Sequence, residues 1–282
     1  MPKLIVATCQ FAVSGDVARN ARTMRKMIRD AVRRKADLIN FPEACLTGYA
    51  GTDLDENAWR AYDWGLLRSE TETLLEAAKK HKVWLVFGSA HRLSKVRKPH
   101  NCLYLVDPKG RIHDRYDKCF CTGGDLTSYS PGDHLAVFRV RGITCGCLIC
   151  YDLRFPEIYR AYKKKGVQLM LHPFYNARHD GWHVRTVIMR ASVQARAATN
   201  AMWVSAPNAS GHYQEWPSIF VTPDGIVESS LRQNRPGFMI NTVDTDKDYY
   251  DPSKPYRNRA MRGILHSGTL VKDPRSRNRT SL

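Results

Sequence analysis

The sequence predicts an α/β fold, and three observations lead there. Strand signals and helix signals alternate along the chain, the order expected where helices cover sheets. Several short apolar runs of strand length end in an acidic, basic or thiol-bearing residue, whereas the longer segments carry apolar residues at helical spacing. The 282 residues are 43% hydrophobic, enough to bury a large core, and a single α/β domain of this length is ordinary. No internal repeat is evident.

In order, LIVATCQF from Leu4 reads as an opening strand. Met24, Met27, Ile28, Ala31 and Val32 then recur at helical spacing between Arg22, Arg25, Lys26, Arg29 and Arg33, so one stripe faces the core and the other water. LINFPEACLTGYAG places Glu43 just past a strand. VWLVFGSA from Val83 and CLYLVDPKG from Cys102 form a hairpin, the second strand closed by an Asp-Pro-Lys-Gly turn. RIHDRYDKCF puts Lys118 past another strand, and ITCGCLICYDLRFPE from Ile143 drives an apolar strand outward to present Cys150 at its tip. Pro156 then starts a helix at its first turn, where the missing N–H is no loss, and the helix ends near Gly166. VQLMLHPFYN from Val167 is a strand running into a loop aimed at the same rim. A helix from about Trp182 to Asn200 follows, with Val184, Val187, Ile188, Ala191 and Ala195 as its apolar stripe.

These segments offer a nucleophile, a base and a cation. A cysteine of ordinary pKa, about 8.5, is mostly protonated at neutral pH, so an attacking thiol needs a base or a nearby cation. Glu43 suits the first role. The oxyanion that forms when sulfur adds to a carbonyl or nitrile carbon needs a fixed positive partner, and Lys118 suits that. Ligands of open α/β sheets gather beyond the carboxyl ends of strands, and a helix start near Cys150 favours thiolate and oxyanion alike. The Tyr151 N–H is the natural second oxyanion donor.

FPEACLTGY, RYDKCF and CLICYDLRFPE, in that order, resemble the three signature blocks of the nitrilase (carbon–nitrogen hydrolase) superfamily, and the likeness runs on through PNASG at Pro207 and SIFVTPDG at Ser218. The resemblance implies a four-layer αββα sandwich and a catalytic triad of Glu43, Lys118 and Cys150, without metal or cofactor. It also implies a second catalytic acidic residue after the lysine, in a block like E-x-x-x-Y-x-x-G. Here DLTSYSPG puts Asp125 in that place, ahead of Tyr129 and Gly132. Aspartate is one methylene shorter, so its reach is expected to fall short by about 1 Å, a misplacement that can cost roughly 100-fold. Cys119, Phe120 and Cys121 replace the usual residues after the lysine, and the pocket edge is expected to differ accordingly.

Tyr49, Tyr151, Arg154, Phe174, Tyr175 and Asn176 are expected to contact the substrate, with Arg154 suited to a bidentate grip on a carboxylate. His172, His179 and His183 cluster near the same loop, but the triad already supplies base and cation, so none is assigned catalysis. CYDLRFPE is closer to the amidase and carbamoylase branches than to true nitrilases. The expected activity is hydrolysis of a small linear amide or N-carbamoyl acid through a thioester, with release of ammonia. A nitrilase and a non-catalytic binding or assembly protein of the same fold are the alternatives.

Residues 1–282 are expected to form one domain, with 256–282 a basic tail lying along a neighbouring subunit of a homodimer or larger homo-oligomer. No apolar stretch has the length of a membrane span and none resembles a signal sequence, so the expected location is cytoplasmic. The eight cysteines lie largely in apolar runs and suggest no disulfide framework; Cys119-x-Cys121 and Cys145-x-Cys147 lack the spacing of a structural zinc site. The sequons at Asn208 and Asn278 carry little weight outside a secretory context. The net charge is +17, from 44 basic and 27 acidic residues. These charges are scattered and no recognised nucleic-acid motif accompanies them, so a basic surface that steers anionic substrates is expected rather than nucleic-acid binding.

Overall fold

A computed structural model describes residues 3–55, 57–177 and 181–280. Contacts divide the chain into two units, residues 1–250 and 251–282. The first holds β1 (Lys3–Gln10), β2 (Leu38–Asn40), β3 (Trp84–His91), β4 (His100–Val106) and β5 (Ile112–Asp117) in one sheet. A second sheet contains β6 (Val137–Val140), β7 (Ile143–Cys147), β8 (Leu169–Leu171), β9 (Trp203–Ala206), β10 (Ile219–Val221) and β11 (Val227–Ser230), and β12 (Gly237–Asp244) returns to pair antiparallel with β1. The strand orders are β12-β1-β2-β3-β4-β5 and β11-β10-β9-β8-β7-β6. Each sheet is mixed, with three central strands parallel (β1-β2-β3 and β7-β8-β9) and antiparallel strands outside them.

The strand period of two explains the layering. On β1, Leu4 and Val6 join a core shared with β7, β8 and β9, while Ala7 and Cys9, with Phe11 just past the strand, join a second core under the helices α1 (Val17–Arg33) and α2 (Trp64–His81). On the far side, α4 (Pro156–Lys164) and α5 (Val184–Asn200) bury Tyr159, Tyr162, Met189 and Val193 against the second sheet. Because every inner strand is apolar on both faces, both faces must be covered. The result is the expected helix–sheet–sheet–helix sandwich. A four-residue helix α3 (Asp125–Ser128) sits between β5 and β6.

Helices α1 and α2 each begin on an aspartate cap: Asp16 accepts from the Arg19 N–H and Asp63 from the Leu66 N–H. The α1 stripe Met24, Met27, Ile28 and Ala31 is buried as read from sequence. On α5 the rotational phase differs. Met189, Val193 and Ala197 face the core, whereas Val184, Val187, Ala191 and Ala195 point outward. Both faces of that helix are small and apolar, so periodicity alone does not choose between them.

Asn208 is fully buried and donates to the Trp216 carbonyl at 2.8 Å, which rules out its sequon as a glycan acceptor in the folded protein. In the second unit, α6 (Lys254–Met261) begins beside an ion pair between Arg257 and Asp251, and Leu265, Leu270 and Val271 are exposed.

Candidate active site

Three chain segments deliver the candidate reacting groups from the carboxyl ends of strands. Past β2, the Phe41 N–H bonds the Val86 carbonyl and the Leu46 N–H bonds the Gly88 carbonyl, so the Glu43 segment is laid directly across β3. That approach requires glycine: a Cβ on Gly88 would stand 2.2 Å from the Ala44 nitrogen and 2.6 Å from the Pro42 oxygen. Lys118 extends β5 by one residue, its N–H bonding the Asn101 carbonyl at 2.9 Å. Cys150 lies three residues beyond β7, at the start of a 3-10 turn (Cys150–Arg154) that precedes α4.

Cys150 has φ +43, the left-handed region that a side chain occupies only under constraint. Both of its backbone groups are tied down. Its N–H donates to the Pro173 carbonyl at 2.9 Å, and its carbonyl is 3.2 Å from His172 Nε2. The Tyr159 hydroxyl lies 2.7 Å from His172 Nδ1, and donation from the hydroxyl fixes the tautomer in which Nε2–H points at the Cys150 carbonyl. Burial pushes the His172 pKa down to about 3, so this link stays neutral. Asp152 braces the same turn, accepting from the Ile149 N–H, the Tyr116 hydroxyl on β5 and the Phe120 N–H beside Lys118. One carboxylate thus joins the nucleophile's turn to the lysine's loop.

Lys118 is completely buried between two carboxylates, with Nζ 2.9 Å from Glu43 Oε1 and 2.9 Å from Asp125 Oδ2. Burial alone would depress its pKa, but the surrounding negative groups, Glu43 foremost, hold it well above the ordinary lysine value and keep it charged. Glu43 also accepts from Asn101 Nδ2 at 2.8 Å, and its second oxygen, Oε2, is buried without a hydrogen-bond partner. Burial raises the Glu43 pKa, against the pull of Lys118 and with help from the like charge of Asp125. Burial and Glu43 likewise push the Cys150 thiol well up, so the resting thiol is protonated.

The shortfall expected of Asp125 does not occur at Lys118. The Thr122 hydroxyl accepts from the Asp125 N–H at 3.0 Å at the start of α3, and the shorter carboxylate lies 2.9 Å from Nζ. The same carboxylate accepts from the Thr122 N–H at 2.8 Å and from the Tyr49 hydroxyl. Lys118, Tyr49 and Thr122 together outweigh burial and hold Asp125 below the usual aspartate range.

A cavity of about 500 Å³ opens onto this cluster, lined by Tyr49, Lys118, Cys150, Tyr151, Arg154, Tyr175 and Asn176 among others. Tyr49 stacks on Tyr175 with ring centroids 4.9 Å apart, and Asn176 Nδ2 lies 3.8 Å from Cys150 Sγ. Phe174 is a correction. It is fully buried, stacked on His172 at 4.5 Å and packed edge-on against Trp216, because alternate residues of the extended segment after β8 face opposite sides. Cys119, Phe120 and Cys121 do not line the cavity either; Phe120 stacks on Phe155 with centroids 3.6 Å apart. His183 is at the cavity wall and caps α5, while His172 lies behind the nucleophile; His179 falls outside the described residues.

Asn101, Asp152, Thr122 and Arg185 were not evident in the sequence as site residues. Arg185 lines the cavity and pairs with buried Glu215 at 3.1 Å. Asn101 is 58 residues from the carboxylate it contacts, and the β3–β4 pairing, which sets it opposite Ala90, brings it beside the Glu43 segment laid across β3. The one local hint was Asp152, a polar residue two positions after the thiol in an otherwise apolar stretch.

The family model for carbon–nitrogen hydrolases matches residues 5–249. Over 217 residues the chain is 31% identical to 2-oxoglutaramate amidase of Bacillus subtilis, covering 74% of this chain and 77% of that protein. It is 27% identical over 264 residues to omega-amidase NIT2 of Xenopus tropicalis, covering 88% and 91%. Among solved structures, an amidase from Nesterenkonia sp. superposes with a TM-score of 0.78 at 22% identity, over 93% of this chain and 96% of that one. A solved form of the Nesterenkonia amidase holds acrylamide and another holds butyramide. Given the match of the family model to most of its length, the chain belongs to the carbon–nitrogen hydrolase family.

Proposed function

We propose that the protein is a cysteine-dependent amidase acting on a small linear amide that carries a carboxylate. The observation that carries this reading is the Lys118 ammonium held between Glu43 and Asp125 at the floor of a cavity that also exposes Cys150. Glu43 Oε2, buried and without a partner, is the acceptor for the thiol proton. The sulfur adds to the amide carbon, and Lys118 with the Tyr151 N–H stabilises the oxyanion. The tetrahedral adduct collapses as Glu43 returns the proton to nitrogen, the C–N bond breaks and ammonia leaves a thioester. Water, deprotonated by Glu43, then adds to the thioester, and the thiol departs with its proton restored. Asp125 holds Lys118 in place and touches no reacting atom in this scheme.

The carboxylate preference is supported by Arg154 and Arg185 on the cavity wall, and by the amidases among the curated relatives. N-carbamoyl acids present a similar planar carbonyl and remain within the same reading. The reading also includes a homo-oligomer, supported by the exposed Trp182, Val184 and Val187 at and beside the start of α5, with residues 256–282 along a neighbouring subunit.

The test is ammonia release from ω-amides of dicarboxylic acids, simple aliphatic amides, N-carbamoyl amino acids and nitriles, with Cys150→Ala alongside. Release from the carboxylate-bearing amides that vanishes in Cys150→Ala is expected. Release that persists in that variant, or activity confined to nitriles, would overturn the proposal.

A further inference from the structure

A second cavity, of about 260 Å³, is lined in part by α3 and does not include Lys118, Glu43 or Asp125. Its floor includes Thr127 and Ser128 from α3, and its walls include the indoles of Trp59 and Trp64, whose rings are 5.5 Å apart. Around it stand Arg60, Arg92, Lys95, Arg97 and Lys98. No aspartate or glutamate lines this cavity among the described residues, and none of these five cations has a carboxylate partner there.

That sets the cluster apart from the other basic surface. On α1, Arg25 pairs with Glu70 and Arg33 with Asp30, and on β5 Arg115 pairs with Asp117; Arg19, Arg22, Lys26 and Arg29 have no carboxylate partner among the described residues but do not gather at a cavity free of acidic residues. The groove between α1 and α2, also basic, contains Glu76. Five like charges gathered at one concavity repel one another, an arrangement that an anion relieves. Two of them are already oriented. Lys98 Nζ donates to the Leu126 carbonyl at 2.7 Å, and Arg92 lies over the Trp64 ring at 4.7 Å, which leaves its N–H edge for an acceptor.

We propose that this cavity binds a small phosphorylated anion. Arginines present the forked donors that match phosphoryl oxygens, and the lysines add point charge. The volume suits a phosphoryl group with a small organic part, for which Trp59 and the exposed Val96 provide an apolar wall. This inference does not depend on the amidase reading, and its test does not use catalysis.

The experiment is calorimetric titration at low salt with pyrophosphate, a nucleoside monophosphate and the corresponding unphosphorylated nucleoside. It is run on the native protein, on Arg60→Glu with Arg97→Glu, and on Arg22→Glu with Arg29→Glu on α1, which changes net charge equally. All four arginines are exposed, and thermal melts verify that both variants fold. Saturable binding of the phosphorylated probes but not of the nucleoside is expected, weakened about tenfold or more by the cavity pair and little by the α1 pair. Pyrophosphate binding alone would mark a bare phosphate site; tighter binding of the nucleotide would mark use of the indole wall. Equal losses in both variants would mean diffuse attraction. That result, binding of the unphosphorylated nucleoside, or no saturable binding would overturn the proposal.

Discussion

Asp125→Asn is the substitution that most sharply tests how the buried charges are coupled. The Glu43 and Asp125 oxygens each lie 2.9 Å from the same Lys118 Nζ, so they are separated by no more than about 5.8 Å. At an effective dielectric of about 20, two unit charges at that distance repel by about 3 kcal/mol. Repulsion of this kind helps raise the Glu43 pKa, after burial. Removing the Asp125 charge removes that repulsion and lets Glu43 ionise more easily, so its pKa moves down. Since Glu43 must be ionised to act as base, the acid limb of the kcat/KM profile moves to lower pH. The maximal rate falls, because a less basic carboxylate takes the thiol proton less readily and Lys118 loses one of its two anchors. Asparagine also offers one acceptor oxygen where the carboxylate offers two, and Lys118, Tyr49 and Thr122 all donate to it. One donor is left unsatisfied, at about 1–3 kcal/mol of stability. The assay is the pH dependence of kcat/KM for ammonia release, with a denaturant titration. An acid limb that stays in place, with native kcat, would refute the coupling.

Other outcomes follow from the same geometry. Gly88→Ala should displace the Glu43 segment and lower kcat about 100-fold for a shift near 1 Å, read as lost ammonia release in a protein whose circular dichroism stays native. Arg185→Ala should raise KM about tenfold for a carboxylate-bearing amide and little for a neutral one of similar size; equal changes for both would remove it from substrate recognition. Tyr159→Phe removes the donor to His172 Nδ1, and stability should fall by about 1 kcal/mol, measured by urea titration. Because Asp125 is held below the ordinary aspartate range, its contribution to stability is full at neutral pH and drains away as pH falls below about 4. Acid unfolding of Asp125→Asn should therefore lose part of that dependence.

Much of the fold could be read from local patterns, since apolar runs and helical stripes are properties of neighbouring residues. Glu43, Lys118 and Cys150 were legible for the same reason, each standing just beyond a strand-like run, and the order of their blocks matched one family. Asn101 and Asp152 were not, because their roles depend on contacts between strands and loops far apart in sequence, which no period encodes. Phe174 was misjudged where the alternation continues past the end of β8 and turns its ring into the core. The outward stripe of α5 was read as the helix's apolar face because both sides carry small apolar residues. The shortfall expected of Asp125 follows from side-chain length alone, whereas in the fold Lys118, Tyr49 and the Thr122 N–H all converge on the shorter carboxylate.

The central claim is that Cys150 carries the acyl group between loss of ammonia and attack by water. The direct measurement is mass spectrometry of protein mixed with an amide substrate and quenched in acid during turnover, followed by peptide mapping. The account predicts an adduct with the mass of the acyl group on the peptide containing Cys150, formed together with the first ammonia released and absent from Cys150→Ala. An adduct on another residue, or ammonia release near the native rate from Cys150→Ala, would contradict it.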